Sequence, residues 1–140
     1  GNREFQKGKI VSMIVQLSLQ ALEHKKVRLF KHGEQKRDFV FIKDVVQANV
    51  KALESAKSGI YNVGSGEARS FNDIVACLKE HLGDFEIEYF ENPYSFFQTH
   101  TEADISATKE HLSYTPRFNL EQGIEAYMKE IQNIFATLRR

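Results

Sequence analysis

Residues 37–45 constrain this chain more than any other stretch: Arg37 and Asp38, then the apolar run Phe39, Val40, Phe41 and Ile42, then Lys43, Asp44 and Val45. The apolar run has no polar alternation, which is the pattern of a strand buried on both faces. Asp44 offers an N-cap, and Val46, Val50 and Leu53 follow at helical spacing. A strand of that kind, feeding straight into a helix, needs cover on both sides, so the expected class is α/β. Arg37 stands at the mouth of the strand, where a guanidinium fork can meet an anionic ligand.

The rest of the chain fits around that unit. Residues 9–23 read as a helix with Ile10, Ile14, Leu17 and Ala21 on one face. Residues 27–30 alternate like a short strand, and the turn at 32–35 suggests a hairpin-like pairing with 37–42. The helix from Asp44 is expected to end near Ser58 and Gly59, with a strand at 59–63 behind it. Ser70 and Asp73 have capping-box spacing ahead of a helix that stops at Gly83. Residues 85–89 alternate as a strand with one wet face. Asp104 is expected to cap a short helix reaching Leu112, and Asn119 a last one with Leu120, Ile124, Tyr127, Ile131, Phe135 and Leu138 inward.

Composition excludes several classes of function. Nineteen basic residues balance nineteen acidic ones, which argues against nucleic acid or an anionic membrane as a general partner. A single cysteine, Cys77, rules out an intrachain disulfide framework and fits the reducing cytoplasm. No apolar run reaches the roughly 18 residues of a membrane span. The five histidines lack metal-ligand spacing, so no metal site is expected. Gly64-Ser65-Gly66 lies between a strand and a helix, but a dinucleotide fingerprint needs a third glycine at position 69, which is Arg69. Those glycines read as a chain turn. Cys77 reads as core, and Lys7, taken alone, as a solvated loop lysine. The aromatic loop at 94–98 either stacks on a base or sugar or plugs the core.

Five segments occur in order: Gly1-Asn2-Arg3-Glu4 with Lys7-Gly8, Arg37-Asp38-Phe39-Val40, Tyr61-Asn62-Val63-Gly64-Ser65-Gly66, and Thr101-Glu102-Ala103-Asp104. Together they resemble the C-terminal part of the nucleotide-sugar enzymes of the extended short-chain dehydrogenase/reductase family. The opening segment and the later Phe97-Gln98…Thr101-x-Ala103-Asp104 are narrower, and resemble the branch that epimerises ADP-heptose at C6. The resemblance spans nearly all 140 residues. It implies that residues 1–140 form the mainly substrate-binding portion. Residues 39–58 and about 104–113 would pack against an N-terminal Rossmann domain that this chain does not contain. The glycine-rich strand–helix start and the Tyr-x-x-x-Lys pair of the family are absent, so no cofactor is expected on this chain alone. NADP, or else NAD, would serve the complete enzyme.

The resemblance also implies the chemistry. C6 of the heptose is oxidised to a transient aldehyde, the aldehyde turns over, and the hydride returns to its other face. The reaction supplies a lipopolysaccharide core precursor. Lys7 matches the second acid/base group, and Arg37 matches a diphosphate-binding arginine. Phe30, Lys31, His32 and Gly33 match the loop that runs along the nucleotide. Lys9, Gln16 and Phe97 occupy substrate-contacting positions where the family commonly has serine, histidine and tyrosine, and Asn2 replaces a proline. The implied partners are an ADP-sugar and either a second copy or the N-terminal domain. Two alternatives stand beside this reading: another epimerase or dehydratase of the family, or a non-catalytic nucleotide-sugar binding module.

Overall fold

The computed structural model describes residues 11–91 and 98–139, Lys31 by its backbone alone. The elements in chain order are α1 (Met13–His24), β1 (Lys26–Phe30), β2 (Lys36–Asp38), α2 (Ile42–Glu54), β3 (Ala68–Ser70), α3 (Phe71–Leu82), β4 (Glu86–Phe90), α4 (Ser106–Leu112) and α5 (Leu120–Leu138). The α/β class expected from the sequence is the class observed. The described residues form two compact units, one from 11–34, 70–91 and 124–139, the other from 35–69 and 98–123.

In the first unit β1 and β4 pair in parallel, from Lys26 opposite Glu86 to Phe30 opposite Phe90. Helix α1 packs on β1 and α3. Val15, Leu17, Val27, Leu29, Ile74, Leu78, Ile124 and Ile131 are almost wholly buried. Local chemistry sets the helix ends. The Ser12 hydroxyl accepts from Val15 N, and Lys25 closes α1 in the left-handed region at φ 53°. Ser70 Oγ accepts from Asp73 N at 3.1 Å while Asp73 Oδ2 accepts from Ser70 N at 2.8 Å, the reciprocal box that the sequence announces. Cys77 is buried in this core, as expected.

In the second unit β2 pairs with β3. A small core gathers Ala48, Ile105 and Tyr114, with Val63 and Ala103 against it. Asn119 Oδ1 accepts from Gln122 N at 2.8 Å and Gln122 Oε1 accepts from Asn119 N at 3.1 Å, so the expected cap of α5 is present.

Several expectations are corrected. Residues 39–42 are not a strand: β2 stops at Asp38 and Ile42 already opens α2. The apolar character of that run goes into side-chain packing, with Phe41 4.7 Å from Phe118; a short apolar run cannot by itself distinguish a strand from a helix entry. Asp44 is not the N-cap. The helix starts two residues earlier, and the Asp44 carboxylate, 1% exposed, accepts from Arg117 N and Phe118 N at 3.0 Å each. Val46, Val50 and Leu53 lie on α2 at the expected helical spacing and are 54%, 46% and 87% exposed. The hairpin does not form, because a 3-10 turn at Lys31–Gly33 intervenes and β1 pairs with β4. Helix α2 ends at Glu54, short of Ser58. Residues 59–63 join no ladder among the described residues; instead Asn62 O accepts from the Thr108 hydroxyl. Ile105, not Asp104, occupies the cap position of α4. On α5, Met128 and Ile134 are buried whereas Leu138 is 63% exposed.

Tyr114 ties the second unit together. It is fully buried, and its hydroxyl donates to Gly64 O at 2.7 Å. Burial, with repulsion from Asp44 and Asp38, pushes its pKa up to about 12. The folded state therefore holds this proton more tightly than the unfolded chain does, near pKa 10. The contribution is complete below pH 10 and is lost as pH rises towards 12. Tyr114→Phe is expected to lower stability by about 0.5–1.5 kcal/mol near neutral pH, the worth of one hydrogen bond. It should also flatten the fall in melting temperature over that alkaline window. Thermal melts against pH, at fixed chain concentration, check both; an unchanged alkaline limb would remove Tyr114 as its source.

Candidate substrate site

The site residues inferred from the sequence fall in both units and outside the described residues. Lys7, Lys9 and Phe97 lie outside the described residues. Gln16 sits half-buried on α1, and its Nε2 donates to Val11 O at 2.7 Å, which ties it to the backbone before the helix.

Phe30, Lys31, His32 and Gly33 are contiguous at the C-terminal end of β1 in the first unit. The Phe30 ring lies 5.9 Å from that of Phe90. His32 is exposed and adopts φ 59°, a left-handed conformation uncommon for a residue with a side chain. Its carbonyl accepts from Asn72 Nδ2 at 2.8 Å. Gly33 follows at φ 70°, and a Cβ there would stand 2.2 Å from Asn72 Oδ1. Only glycine satisfies both the backbone and the space. Asn72, in the first turn of α3, therefore fixes the loop, and nothing in the sequence marks it for that task.

Arg37 is the middle residue of β2 in the second unit. Its Nη1 donates to Lys36 O and its Nη2 to Gln98 O, both at 2.7 Å. The strand edge beside it is closed by residues 99–101: Lys36 N donates to Thr99 O and Thr101 N to Lys36 O. Asp38 is the residue that sequence reasoning missed, although its adjacency to Arg37 was visible. Its Oδ1 accepts from Ser65 N at 2.7 Å and from the Ser65 hydroxyl at 2.6 Å. Its Oδ2 accepts from Gly66 N at 2.9 Å and Ala103 N at 3.3 Å. Gly64 leaves room for this carboxylate, since a Cβ would come within 2.6 Å of both Asp38 Oδ2 and Ala103 Cβ.

This arrangement decides the role of the Gly64-Ser65-Gly66 turn. Its amide donors are spent on a carboxylate of the same chain, and an incoming phosphate would meet that negative charge. Arg69 is held by Glu121, with contacts of 3.1 and 2.5 Å. The turn does not fit the pyrophosphate of a nicotinamide cofactor. An open cleft of about 370 Å³ lies nearby, lined by Gly66, Glu102, Ala103, Asp104, Ile105, Ser106 and Lys109. It contains none of the site residues inferred from the sequence. Hydrogen bonds from Ser106 hold the Asp104 carboxyl below its usual range. No cluster of metal-ligating side chains occurs among the described residues.

Residues 1–64 match the family model described as NAD dependent epimerase/dehydratase. The chain is 55% identical to the ADP-L-glycero-D-manno-heptose-6-epimerase of Helicobacter pylori. That structure superimposes with a TM-score of 0.89, covering 94% of this chain and 41% of the other. Over residues 1–64 the chain is similar to the NAD dependent epimerase/dehydratase family, and its fold is that of these epimerases. It is also 37% identical to the ADP-L-glycero-D-manno-heptose-6-epimerase of Fusobacterium nucleatum, over 97% of this chain and 46% of that protein. The UDP-glucose 4-epimerase of Thermotoga maritima, solved with UDP-glucose, is 28% identical with a TM-score of 0.84, covering 95% of this chain and 43% of that one. The chain thus spans less than half the length of these relatives.

Asp38→Asn replaces one acceptor oxygen by an NH₂ group, which must then face two of the four donors. It is expected to destabilise the second unit by roughly 1.5–3 kcal/mol, the scale of a hydrogen bond to a charged group. Urea titration followed by circular dichroism checks this, and an unmoved midpoint would show the clamp to be dispensable.

Proposed function

We propose that this chain is the substrate-binding part of an NADP-dependent ADP-heptose 6-epimerase. The observation that carries the reading is the 55% identity, over nearly the whole chain, to a structure bearing that name. In this reading Arg37 binds the diphosphate, and the loop from Phe30 to Gly33 runs along the nucleotide. Lys7 moves the proton on one side of C6; a lysine does so when burial or a neighbouring cation lowers its pKa. Lys9, Gln16 and Phe97 complete the sugar and phosphate contacts. The nicotinamide cofactor is assigned to a part of the enzyme outside this chain, in the cytoplasm, where one buried thiol remains reduced.

The exposed face of α2 supports that division. Ile42, Val46, Val50 and Leu53 are 42%, 46% or more exposed, and Ile60 is open to solvent. Each large apolar side chain left in water forgoes roughly 1.5–3 kcal/mol of burial. We assign this face to the cofactor domain, since the relatives are more than twice as long as this chain. No helix of the described residues is long and apolar enough to cross a membrane, so a bilayer-spanning role does not explain the face.

Two experiments test the reading. In the complete enzyme, Lys7→Ala should lower epimerisation by about 10² or more with ADP affinity nearly intact. Arg37→Ala in the same enzyme should weaken ADP binding by roughly 1.5–3 kcal/mol. Unchanged epimerisation removes Lys7 from the chemistry, and equal ADP affinity removes Arg37 from the site. The 140-residue chain by itself should self-associate through its uncovered face. A concentration-independent monomer in sedimentation, with no binding of a hydrophobic dye, would overturn the assignment of α2.

A further inference from the structure

We propose that Tyr89 is the surface on which the nucleobase of the substrate stacks, and that Asn72 is the positioning residue that holds it beside the loop. The inference rests on the nucleotide-sugar reading above and adds residues to the same site. Four observations within the first unit carry it.

First, β1 and β4 are parallel, and Leu29 pairs with Tyr89 and Phe30 with Phe90. Their C-terminal ends therefore lie side by side at the mouth of the loop, and the carboxyl ends of parallel strands are where ligands collect in α/β folds. Second, that end carries aromatic surface in water: Tyr89 is 45% exposed and Phe90 37%. The Phe90 ring is engaged by Phe30 at 5.9 Å and by the Arg28 guanidinium at 5.0 Å. Tyr89 meets the His32 ring at 5.7 Å, tilted by 50°.

Third, one side chain links the loop to the strand. Asn72 Nδ2 donates to His32 O at 2.8 Å, and Tyr89 Oη donates to Asn72 Oδ1 at 3.4 Å. Both ends of one amide are thus engaged, which fixes the Tyr89 ring relative to the turn. Fourth, the turn is held in a costly shape. His32 sits at φ 59°, a left-handed conformation that disfavours a residue with a side chain. Such strain persists where the surroundings over-determine it, as at ligand clamps. A flat ring in water, fixed in orientation beside a strained loop, matches a flat aromatic ligand group better than a sugar or a phosphate.

The test compares ADP with inorganic pyrophosphate, which lacks the base, by calorimetric titration of the complete enzyme. Tyr89→Ala should weaken ADP by about 10-fold or more, the scale of one base–aromatic stack, and leave pyrophosphate unchanged. Tyr89→Phe keeps the ring and should restore ADP to within about threefold. Asn72→Ala should weaken ADP and spare pyrophosphate, to a smaller degree. If Tyr89→Ala binds ADP as the unmodified enzyme does, or loses both ligands equally, the inference is overturned while the nucleotide-sugar reading stands. If the unmodified enzyme binds neither ligand, that reading falls and the inference with it.

Discussion

The Asp38 carboxylate is the contact on which the second unit depends. Four donors from two separate segments converge on its two oxygens: Ser65 N, Ser65 Oγ, Gly66 N and Ala103 N. Hydrogen bonds to an ionised acceptor are roughly twice as strong as neutral ones. Irregular chain whose backbone groups are not paired in a ladder must find partners elsewhere. Here one side chain supplies them for a whole turn. It also places Asp38 at the end of β2, next to Arg37, so the segment proposed to bind diphosphate is anchored from its own neighbour.

The same device recurs across this unit. Asp44 satisfies the amides of Arg117 and Phe118, Thr108 donates to Asn62 O, and Tyr114 to Gly64 O. Gln47 exchanges two hydrogen bonds with the backbone of Thr115. These links bind loops to helices without a large sheet. The inner side of α2 is therefore polar at Asp44 and small at Ala48, and its large apolar residues point outward. An arrangement of that kind is economical only where another surface covers the outer face, which joins the architecture to the proposed function.

The first unit is held differently. Burial of apolar side chains from α1, β1, α3 and α5 supplies its cohesion. Its strained part is small and lies at the strand ends, where Asn72 stabilises a left-handed residue and a glycine in succession. A rigid layer beneath and a fixed turn above present the exposed ring of Tyr89.

Local chemistry written in the sequence determined much of this protein. The capping box at Ser70 and Asp73, the stop at Gly83, the Asn119 cap and the buried stripes of α3 and α5 depend on neighbours three or four residues away. The resemblance to the epimerase family was equally legible in the ordered segments. Tertiary structure alone decided what the run from Phe39 to Ile42 becomes, because an apolar stretch of four residues satisfies a strand and a helix entry alike. It turned Asp44 from a helix cap into a buried acceptor, since the partners lie more than 70 residues away. It also decided which residues of α2 turn inward, Asp44 and Ala48, because periodicity marks a face as apolar without saying which surface covers it. The roles of Asp38 and Asn72 come from the same source: each acts on backbone brought alongside by the fold, at 27 and 40 residues' remove.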